Sequence, residues 1–265
     1  MKKIYVITIY YLLFCISVII LLSSNMVGQL LHTFLPDQNL GGLDKNLLLV
    51  DKNLQNISES NIIIVGSSYA ADLGDEKFCN ISIRGSSNSE CILRNTLTEV
   101  KEAEMVLYII TPLDAIVSDG NPLLEAVAYP TFKRRLHLIR VVIGSSKPFL
   151  TMSDFKDEEN RHDYLTLRQR RKYKSAEFDF DKFKRIYDDF PNIVFVLHPH
   201  SGFDHDDVSK VVYSMVSYFK NSDLPFIDLT KLLDDTYFTD LFHLTNNGKK
   251  LMIKHITKRL RGAKS

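Results

Sequence analysis

The sequence predicts an α/β domain with a central parallel sheet, and three apolar runs carry this prediction. They lie at 62–65, Met105–Ile110 and Ile193–Leu197, are almost wholly apolar and are rich in β-branched residues. Such unbroken runs are typical of strands that are buried on both faces of a parallel sheet. Between the first two runs, residues 88–103 space their apolar side chains as an amphipathic helix does. The order strand, helix, strand implies a right-handed crossover between parallel strands.

Helices and strands continue to alternate toward the C-terminus. Helices are expected at 123–127, 132–143, a segment that ends before Pro191, 208–219 and 249–261, and a last short strand at 225–229. The chain has 265 residues, 45% hydrophobic and 25% charged, which suits one such domain with an appendage. Its net charge of +1 creates no overall field for nucleic acid, so no nucleic-acid partner is expected.

The N-terminus predicts a membrane anchor. After Lys2 and Lys3, the 19 residues 4–22 carry no charge and are mostly apolar. Such a segment can cross a hydrocarbon core of about 30 Å, and the two lysines keep the N-terminus cytoplasmic by the positive-inside rule. A cleaved signal peptide is the alternative, but only a poor small-x-small cleavage site follows. The predicted division is a single-pass transmembrane signal anchor at 1–24, a stalk at 25–57 and a periplasmic or extracytoplasmic domain at 58–265.

Residues 151–190 differ from the rest of the domain because charged residues are dense there. We interpret them as an insertion over the carboxyl edge of the sheet. The basic run at 168–174 could bind an anionic glycan or a lipid headgroup, although a solvated surface is the simpler interpretation. Basic residues in the last turns of the terminal helix need no partner, because cations suit the negative end of a helix.

The first predicted strand ends in Gly66-Ser67-Ser68, which is a candidate nucleophile turn. Gly66 permits a sharp bend, and the serines then lie at the carboxyl end of a central strand, where open α/β sheets bind their ligands. A serine in this position can also simply cap the next helix. The short motif by itself favours that structural role.

Asp240 and His243 would supply the base that a serine nucleophile needs. Three residues apart on one turn, they face the same side. The carboxylate can fix the imidazole tautomer and leave the other ring nitrogen to take a hydroxyl proton. A helix cap and a surface histidine are the alternative. Together with the serine turn, the pattern favours a triad of Ser68 as nucleophile, His243 as base and Asp240 as orienting carboxylate.

These elements resemble the SGNH/GDSL hydrolase superfamily over roughly residues 58–262, through a Gly-x-Ser after the first strand and an Asp-x-x-His before the last helix. The resemblance implies a three-layer, flavodoxin-like fold with Ser68, Asp240 and His243 as the catalytic residues. It also implies an oxyanion hole formed by the backbone N–H groups of Ser68 and Gly85. No cofactor is implied.

One family element, Gly-x-Asn-Asp, is absent. At its expected position after the second strand stands Thr111-Pro112-Leu113-Asp114, so the side-chain amide donor to the oxyanion is missing or replaced. In this respect the chain is similar to the membrane-anchored branch of the superfamily, which acylates cell-surface polysaccharides. That branch implies O-acetylation of a polysaccharide acceptor through an acyl-Ser68 intermediate, with a multi-span membrane acyltransferase as the acyl donor. The alternatives are a carbohydrate esterase or deacetylase, and a non-catalytic scaffold of a glycan export or modification complex.

Five further residues are candidate substrate contacts, because each follows a predicted strand at its carboxyl end. They are Ser67, Thr111, Asp114, His198 and His200. Capping the next turn is the alternative for Thr111 and Asp114. Residues 198–207 contain three histidines and three aspartates, which raises the alternative of a metal site, but their spacing matches no recognised ligand pattern and no metal is expected.

Cys79 and Cys91 flank the Gly85 loop and are twelve residues apart. In an oxidising outer compartment they could form a disulfide that fixes this loop. Two buried thiols are the alternative. The sequence does not give the Cα separation that decides between the two.

Overall fold

The structure is a computed structural model that describes residues 2–34, 48, 51–53, 61–71, 73–74, 78–82, 90, 93, 97–116, 131–142, 170–171, 173–203 and 205–262. The helices are α1 (Lys2–Ser23), α2 (Asn25–Phe34), α3 (Leu97–Glu102), α4 (Thr131–Val142), α5 (Asp181–Asp189), α6 (Asp206–Asn221) and α7 (Asn246–Gly262). The strands are β1 (Ile62–Gly66), β2 (Cys79–Asn80), β3 (Met105–Ile110), β4 (Ile193–Leu197) and β5 (Phe226–Asp228). Short 3-10 turns occupy Pro112–Ala115 and Asp235–Tyr237.

The five strands pair in parallel in the order β2-β1-β3-β4-β5. This confirms the predicted α/β fold with a central parallel sheet, and the strand order is the one found in flavodoxin-like sheets. The three apolar runs form β1, β3 and β4. Periodicity does not reveal β2, because a strand of two residues is too short to carry a pattern.

Apolar side chains fill both faces of the sheet. One core cluster combines Ile63 and Tyr108 of the central strands with residues of α4, α5 and α6. The other combines Ile64 of β1 with Met252 and Ile256 of α7. Because helices cover both faces, the central strands are buried on either side. This burial explains why their sequences are continuously apolar instead of alternating.

Helices α4, α6 and α7 form close to their predicted positions. The helix predicted at 123–127 lies outside the described residues. Helix α5 ends before Pro191 as expected and buries Phe183 and Ile186 in the core. It lies between β3 and β4 in the chain. Residues 181–189 of the segment that we interpreted as an insertion therefore form a core helix of the crossover to β4. Residues 151–169 of that segment lie outside the described residues.

The N-terminal helices are joined to the domain through Arg135 of α4. The side chain of Arg135 is 1% exposed and donates to the carbonyl oxygens of Leu22 (2.9 Å) and Ser24 (2.6 Å) and to Oδ2 of Asp51 (2.9 Å). It thereby binds carbonyl groups at the end of α1, where a helix has unpaired acceptors and a negative dipole end. The segment expected to be a stalk begins with helix α2, whose Leu31 packs against the core.

The surface of α1 is apolar. Among the described residues, the exposed large hydrophobic side chains lie almost entirely on α1 and α2, and Ile7, Tyr10 and Phe14 are 69%, 70% and 66% exposed. No helix in the described part of the chain combines the length and the apolarity needed to cross a membrane. The signal anchor at 1–24 stays a prediction.

Candidate active site

The parallel register brings the candidate residues to one edge of the sheet. Ser67, Thr111 and His198 directly follow β1, β3 and β4, whose C-terminal ends lie side by side in the parallel register. The loop of Asp240 is tied to this edge, since the Ser201 hydroxyl donates to the Asp240 carbonyl oxygen (3.1 Å). Residues from four separate segments therefore meet where open α/β sheets bind their ligands.

A tight turn after β1 places the two serines in different environments. At Gly66 a Cβ atom would lie 2.5 Å from the Ala70 Cβ and 3.0 Å from the Ile109 carbonyl oxygen, so only glycine fits there. The Ala70 N–H donates to the Ser67 carbonyl oxygen (3.0 Å) and closes the turn. Ser67 is fully buried, whereas Ser68 is half-buried. Of the two hydroxyls, that of Ser68 is the one open to a substrate.

Asn80 of β2 holds this turn from the neighbouring strand. Its side-chain amide donates to the carbonyl oxygens of Ala70 and Leu73, both at 2.7 Å, and its Oδ1 accepts from the Ser82 N–H (2.9 Å). These bonds pair main-chain groups that no strand or helix pairs. Sequence reasoning missed Asn80, because its partners lie seven and ten residues away in irregular chain and no local pattern signals them.

Asp240 and His243 form the hydrogen-bonded pair that their spacing predicts. Asp240 Oδ2 accepts from His243 Nδ1 (2.6 Å), and Oδ1 accepts from the backbone N–H groups of Phe242 and His243, both at 2.8 Å. The side chain of Asp240 is 2% exposed, and that of His243 is 38% exposed. Because Nδ1 carries the proton that is donated, the neutral ring has its lone pair on Nε2. The imidazole is therefore oriented, accessible and in the tautomer of a base.

The Asp240 carboxylate keeps its charge in spite of its burial. Burial raises the pKa of this carboxyl group, but the hydrogen bond and charge of His243, together with the two backbone N–H groups, lower the pKa to about 2. A carboxylate that is charged at neutral pH stabilises the imidazolium that forms when Nε2 of His243 takes a proton.

Tyr69 lies between the accessible imidazole and a buried one. Its ring centroid is 5.4 Å from that of His243 and 5.9 Å from that of His198. Burial, followed by the negative charges of Asp114 and Asp240, raises the pKa of the Tyr69 hydroxyl far above its ordinary value, so the phenol is neutral. The only sequence signal for Tyr69 is that it directly follows the candidate nucleophile.

His198 and His200 are buried, with 0% and 1% exposure. Each donates Nδ1–H to a backbone carbonyl oxygen, His198 to Pro199 (2.6 Å) and His200 to His198 (2.8 Å). Nε2 of His200 then accepts from the Tyr173 hydroxyl (3.2 Å). Burial lowers the pKa of His198 to about 3 and that of His200 to about 4. Both rings are therefore neutral, and their contact with a substrate stays a prediction.

The Asp114 carboxylate accepts hydrogen bonds from both the backbone and the side chain of Thr111. Asp114 Oδ2 accepts from the Thr111 N–H (2.8 Å) and from its hydroxyl (3.1 Å), and both residues are buried. This confirms the capping alternative for the pair. Because the Thr111 hydroxyl proton is directed at Asp114, it is not available to replace the missing amide donor of an oxyanion hole.

The site thus has two layers. The accessible layer consists of Ser68 and His243. The buried layer beneath it consists of Ser67, Thr111, Asp114, His198 and His200.

Two predicted features fall on residues that the structure does not describe. Gly85, the second expected oxyanion donor, and Cys91, the expected disulfide partner, lie outside the described residues. Cys79 is buried, and its thiol donates to the Asn53 carbonyl oxygen (3.0 Å). Within the described ranges, no group of three His, Cys, Asp or Glu residues could hold a metal ion.

The geometry defines a class of site: a buried carboxylate and an oriented imidazole on the same sheet edge as a half-buried serine. No protein-family model, no curated protein and no solved structure matches this chain. The function is therefore argued from the site itself.

Proposed function

We propose that the protein transfers an acyl group, with acetyl the expected one, to a cell-surface or secreted polysaccharide through an acyl-Ser68 intermediate. The observation that carries this proposal is the Asp240–His243 pair. Its 2.6 Å hydrogen bond and the ionised Asp240 hold the His243 ring with Nε2 as the acceptor. Such a base activates a serine hydroxyl, which is a weak nucleophile at its own pKa.

The first half-reaction acylates the serine. His243 Nε2 takes the hydroxyl proton while Ser68 Oγ attacks the carbonyl carbon of the acyl donor. The tetrahedral oxyanion accepts hydrogen bonds from the backbone N–H groups of Ser68 and Gly85, each good donor being worth about 3 kcal/mol. The imidazolium then protonates the leaving group, and an ester to Ser68 remains.

The second half-reaction releases the acyl group to the acceptor. His243 takes the proton of a sugar hydroxyl, whose oxygen attacks the acyl-Ser68 carbonyl carbon. When the intermediate collapses, the imidazolium returns its proton to Ser68 Oγ. The same steps with water in place of the sugar would make the site an esterase. The buried carboxylate and the partly exposed imidazole serve both half-reactions without moving.

The N-terminal helix attaches this chemistry to a membrane. Its exposed apolar side chains and the two lysines that precede its charge-free segment support an anchor that leaves the domain outside the cytoplasm. A multi-span membrane acyltransferase would then hand over the acyl group at the membrane surface. Fractionation tests this part: the protein should resist extraction by carbonate and dissolve only in detergent.

The chemistry is tested by intact-mass analysis of the full chain in detergent after incubation with 4-nitrophenyl acetate. We expect one acetyl adduct, mapped by peptide analysis to Ser68, which is absent from Ser68→Ala. Ser67→Ala is the matched control, because it removes the neighbouring buried hydroxyl and should leave the adduct in place.

The fate of the adduct separates the candidate activities. Slow loss in water and fast loss to an added oligosaccharide identify a transferase. Equal loss in both identifies an esterase. No adduct on Ser68 in protein that unfolds cooperatively on heating would overturn the triad and favour a non-catalytic scaffold.

A further inference from the structure

A groove of about 820 Å³ runs along α7, outside the residues assigned to catalysis. Its floor and walls include Asn246, Lys250, Lys254, Lys258 and Arg261 of this helix. These residues recur every three or four positions and therefore share one helix face. At 1.5 Å per residue the stripe is about 22 Å long.

The groove is strongly basic although the chain as a whole is nearly neutral. Helix α7 has 17 residues, six of them Lys or Arg and none Asp or Glu, whereas the net charge of the whole chain is +1. Lys250, Lys254 and Lys258 are all exposed. The positive charge of α7 is therefore concentrated on one surface that borders the groove.

The helix dipole accounts for only part of this charge. Arg259 and Arg261 lie in the last turn of α7, where cations are favourable. Lys249 and Lys250 lie near the first turn, where no acidic residue is present and where the positive helix end disfavours cations. The helix dipole therefore does not account for Lys250 at this end of the helix.

One end of the groove lies close to the candidate active site along the chain. Asn246, the first residue of α7 to line the groove, comes three positions after His243, a distance of at most about 10 Å along the chain. Gly248 packs closely against Tyr237, because a Cβ atom at Gly248 would lie only 2.8 Å from the Tyr237 carbonyl oxygen. This close approach fixes the start of α7 beside the loop that carries Asp240 and His243.

We infer that the α7 groove binds an anionic polysaccharide, one whose negative charges repeat along its chain, and leads it to the accessible layer of the site. That the ligand is a polysaccharide rests on the proposed acyl transfer. That the ligand is anionic rests on the positive charge of the groove. Lysine ammonium groups bind such charges as points, without the bidentate geometry that arginine provides. A stripe of lysines therefore suits a flexible polymer whose charges repeat along its length.

Two other anionic partners fit the structure less well. Helix α7 packs on the face of the sheet that includes Ile64, whereas Leu31 of α2 and Leu138 of α4 pack on the opposite face. A membrane that holds the N-terminal helices would therefore not also lie against α7. Single-stranded nucleic acid needs aromatic side chains on which its bases stack, and none lines the groove among the described residues.

The experiment measures binding of fluorescent polygalacturonate oligomers to the full chain in detergent at low and high salt. The test variant is Lys250→Gln/Lys254→Gln/Lys258→Gln. The control variant is Lys101→Gln/Lys210→Gln/Lys220→Gln, which removes three exposed lysine charges outside both the groove and the basic run at 168–174. We expect the test variant to lose about tenfold in affinity, the control to change little, and neutral dextran not to bind.

A second variant changes the one lining residue among the described residues that does not belong to α7. Gly74 lines the groove, and a Cβ atom there would meet nothing within 4 Å. Gly74→Glu therefore adds a negative charge at a position with room for a Cβ atom, and it should weaken binding as well.

The outcomes separate this inference from the proposed chemistry. Ser68→Ala should bind polygalacturonate as the wild type does, whatever becomes of its acylation. The groove assignment is overturned if both triple variants lose affinity equally, if dextran binds as well, or if an oligonucleotide of thymidines binds more tightly. It is also overturned if the test variant only unfolds at a lower temperature and keeps its affinity, since the lysines would then serve only the fold.

Discussion

His243 differs from His198 and His200 in how far solvent reaches the ring, although all three rings lie at the same edge of the sheet. The side chain of His243 is 38% exposed and bonded to a carboxylate. The other two are buried and bonded to backbone carbonyl oxygens. Burial disfavours the protonated form of a ring and lowers the pKa of His198 and His200. The same side chain is thus open to solvent beside a carboxylate in the accessible layer and kept neutral in the buried layer.

The difference shows which interactions decide whether a histidine can act as a base. Three hydrogen-bond donors around Asp240 offset the unfavourable burial of its charge. For His198, Nε2 has no hydrogen-bond partner among the described residues, and a proton there would be a buried charge without compensation. If proton transfer occurs at this edge, we therefore expect it at His243.

The largest expected effect comes from Asp240→Asn. The amide keeps the size of the carboxylate but removes its charge and can donate to Nδ1, so the ring loses the tautomer with Nε2 as acceptor. We expect the rate of Ser68 acetylation to fall about 10³- to 10⁴-fold. Stopped-flow release of 4-nitrophenolate measures this rate.

His200→Gln provides the contrast in the buried layer. It should lower the free energy of unfolding by about 1–3 kcal/mol through lost buried hydrogen bonds, while the folded protein should keep the expected Ser68 acetylation rate within about threefold. If His200→Gln matched the loss in Asp240→Asn without unfolding the protein, the division into two layers would be wrong.

The next effect concerns stability against pH. The pKa of His198 is lowered to about 3 and that of His200 to about 4, whereas an unfolded histidine titrates near 6.5. Between about pH 6.5 and 4 the unfolded chain therefore binds more protons, and stability falls as the pH falls. Each histidine contributes a slope of up to about 1.4 kcal/mol per pH unit.

Urea unfolding at a series of pH values measures this slope. His200→Gln should remove about half of it in this window, and His255→Gln, which changes an exposed ring on α7, serves as the control. Asp240 contributes in a lower window, because its stabilising charge is lost only as the pH falls from about 4 toward 2. A slope that His200→Gln leaves unchanged would contradict the assignment of a neutral buried imidazole.

The sequence predicts the accessible layer better than the buried one, and the reason is physical. Asp240 and His243 are three residues apart, and Gly66 ends an apolar strand, so spacing and strand order alone place these groups at one edge. Burial of His198 and His200 depends on Tyr173 and other side chains distant in sequence. No local pattern distinguishes those two histidines from exposed ones.

The fold follows the same rule. Strands β1, β3 and β4 can be predicted from the sequence, because burial on both faces requires an unbroken apolar run. Strand β2 and the hydrogen bonds of Asn80 depend on contacts across the chain and leave no periodic signal. Helix α2, in the segment expected to be a stalk, is likewise defined by the packing of Leu31 against the core.

The smallest expected effect comes from Tyr69, which touches both layers. Tyr69→Phe keeps the ring against His243 and His198 and removes only the neutral hydroxyl, so acetylation should stay within about threefold of the wild type and stability should fall by about 1 kcal/mol. Tyr69→Leu removes the ring as well and should slow acetylation further, because the imidazole then loses the surface that limits its rotation. A large loss of acetylation in Tyr69→Phe would contradict the expectation that the ring matters more than the hydroxyl. It would mean that the phenol proton reaches the oxyanion, in the role left open by the missing side-chain amide, and that the boundary between the two layers lies below Tyr69.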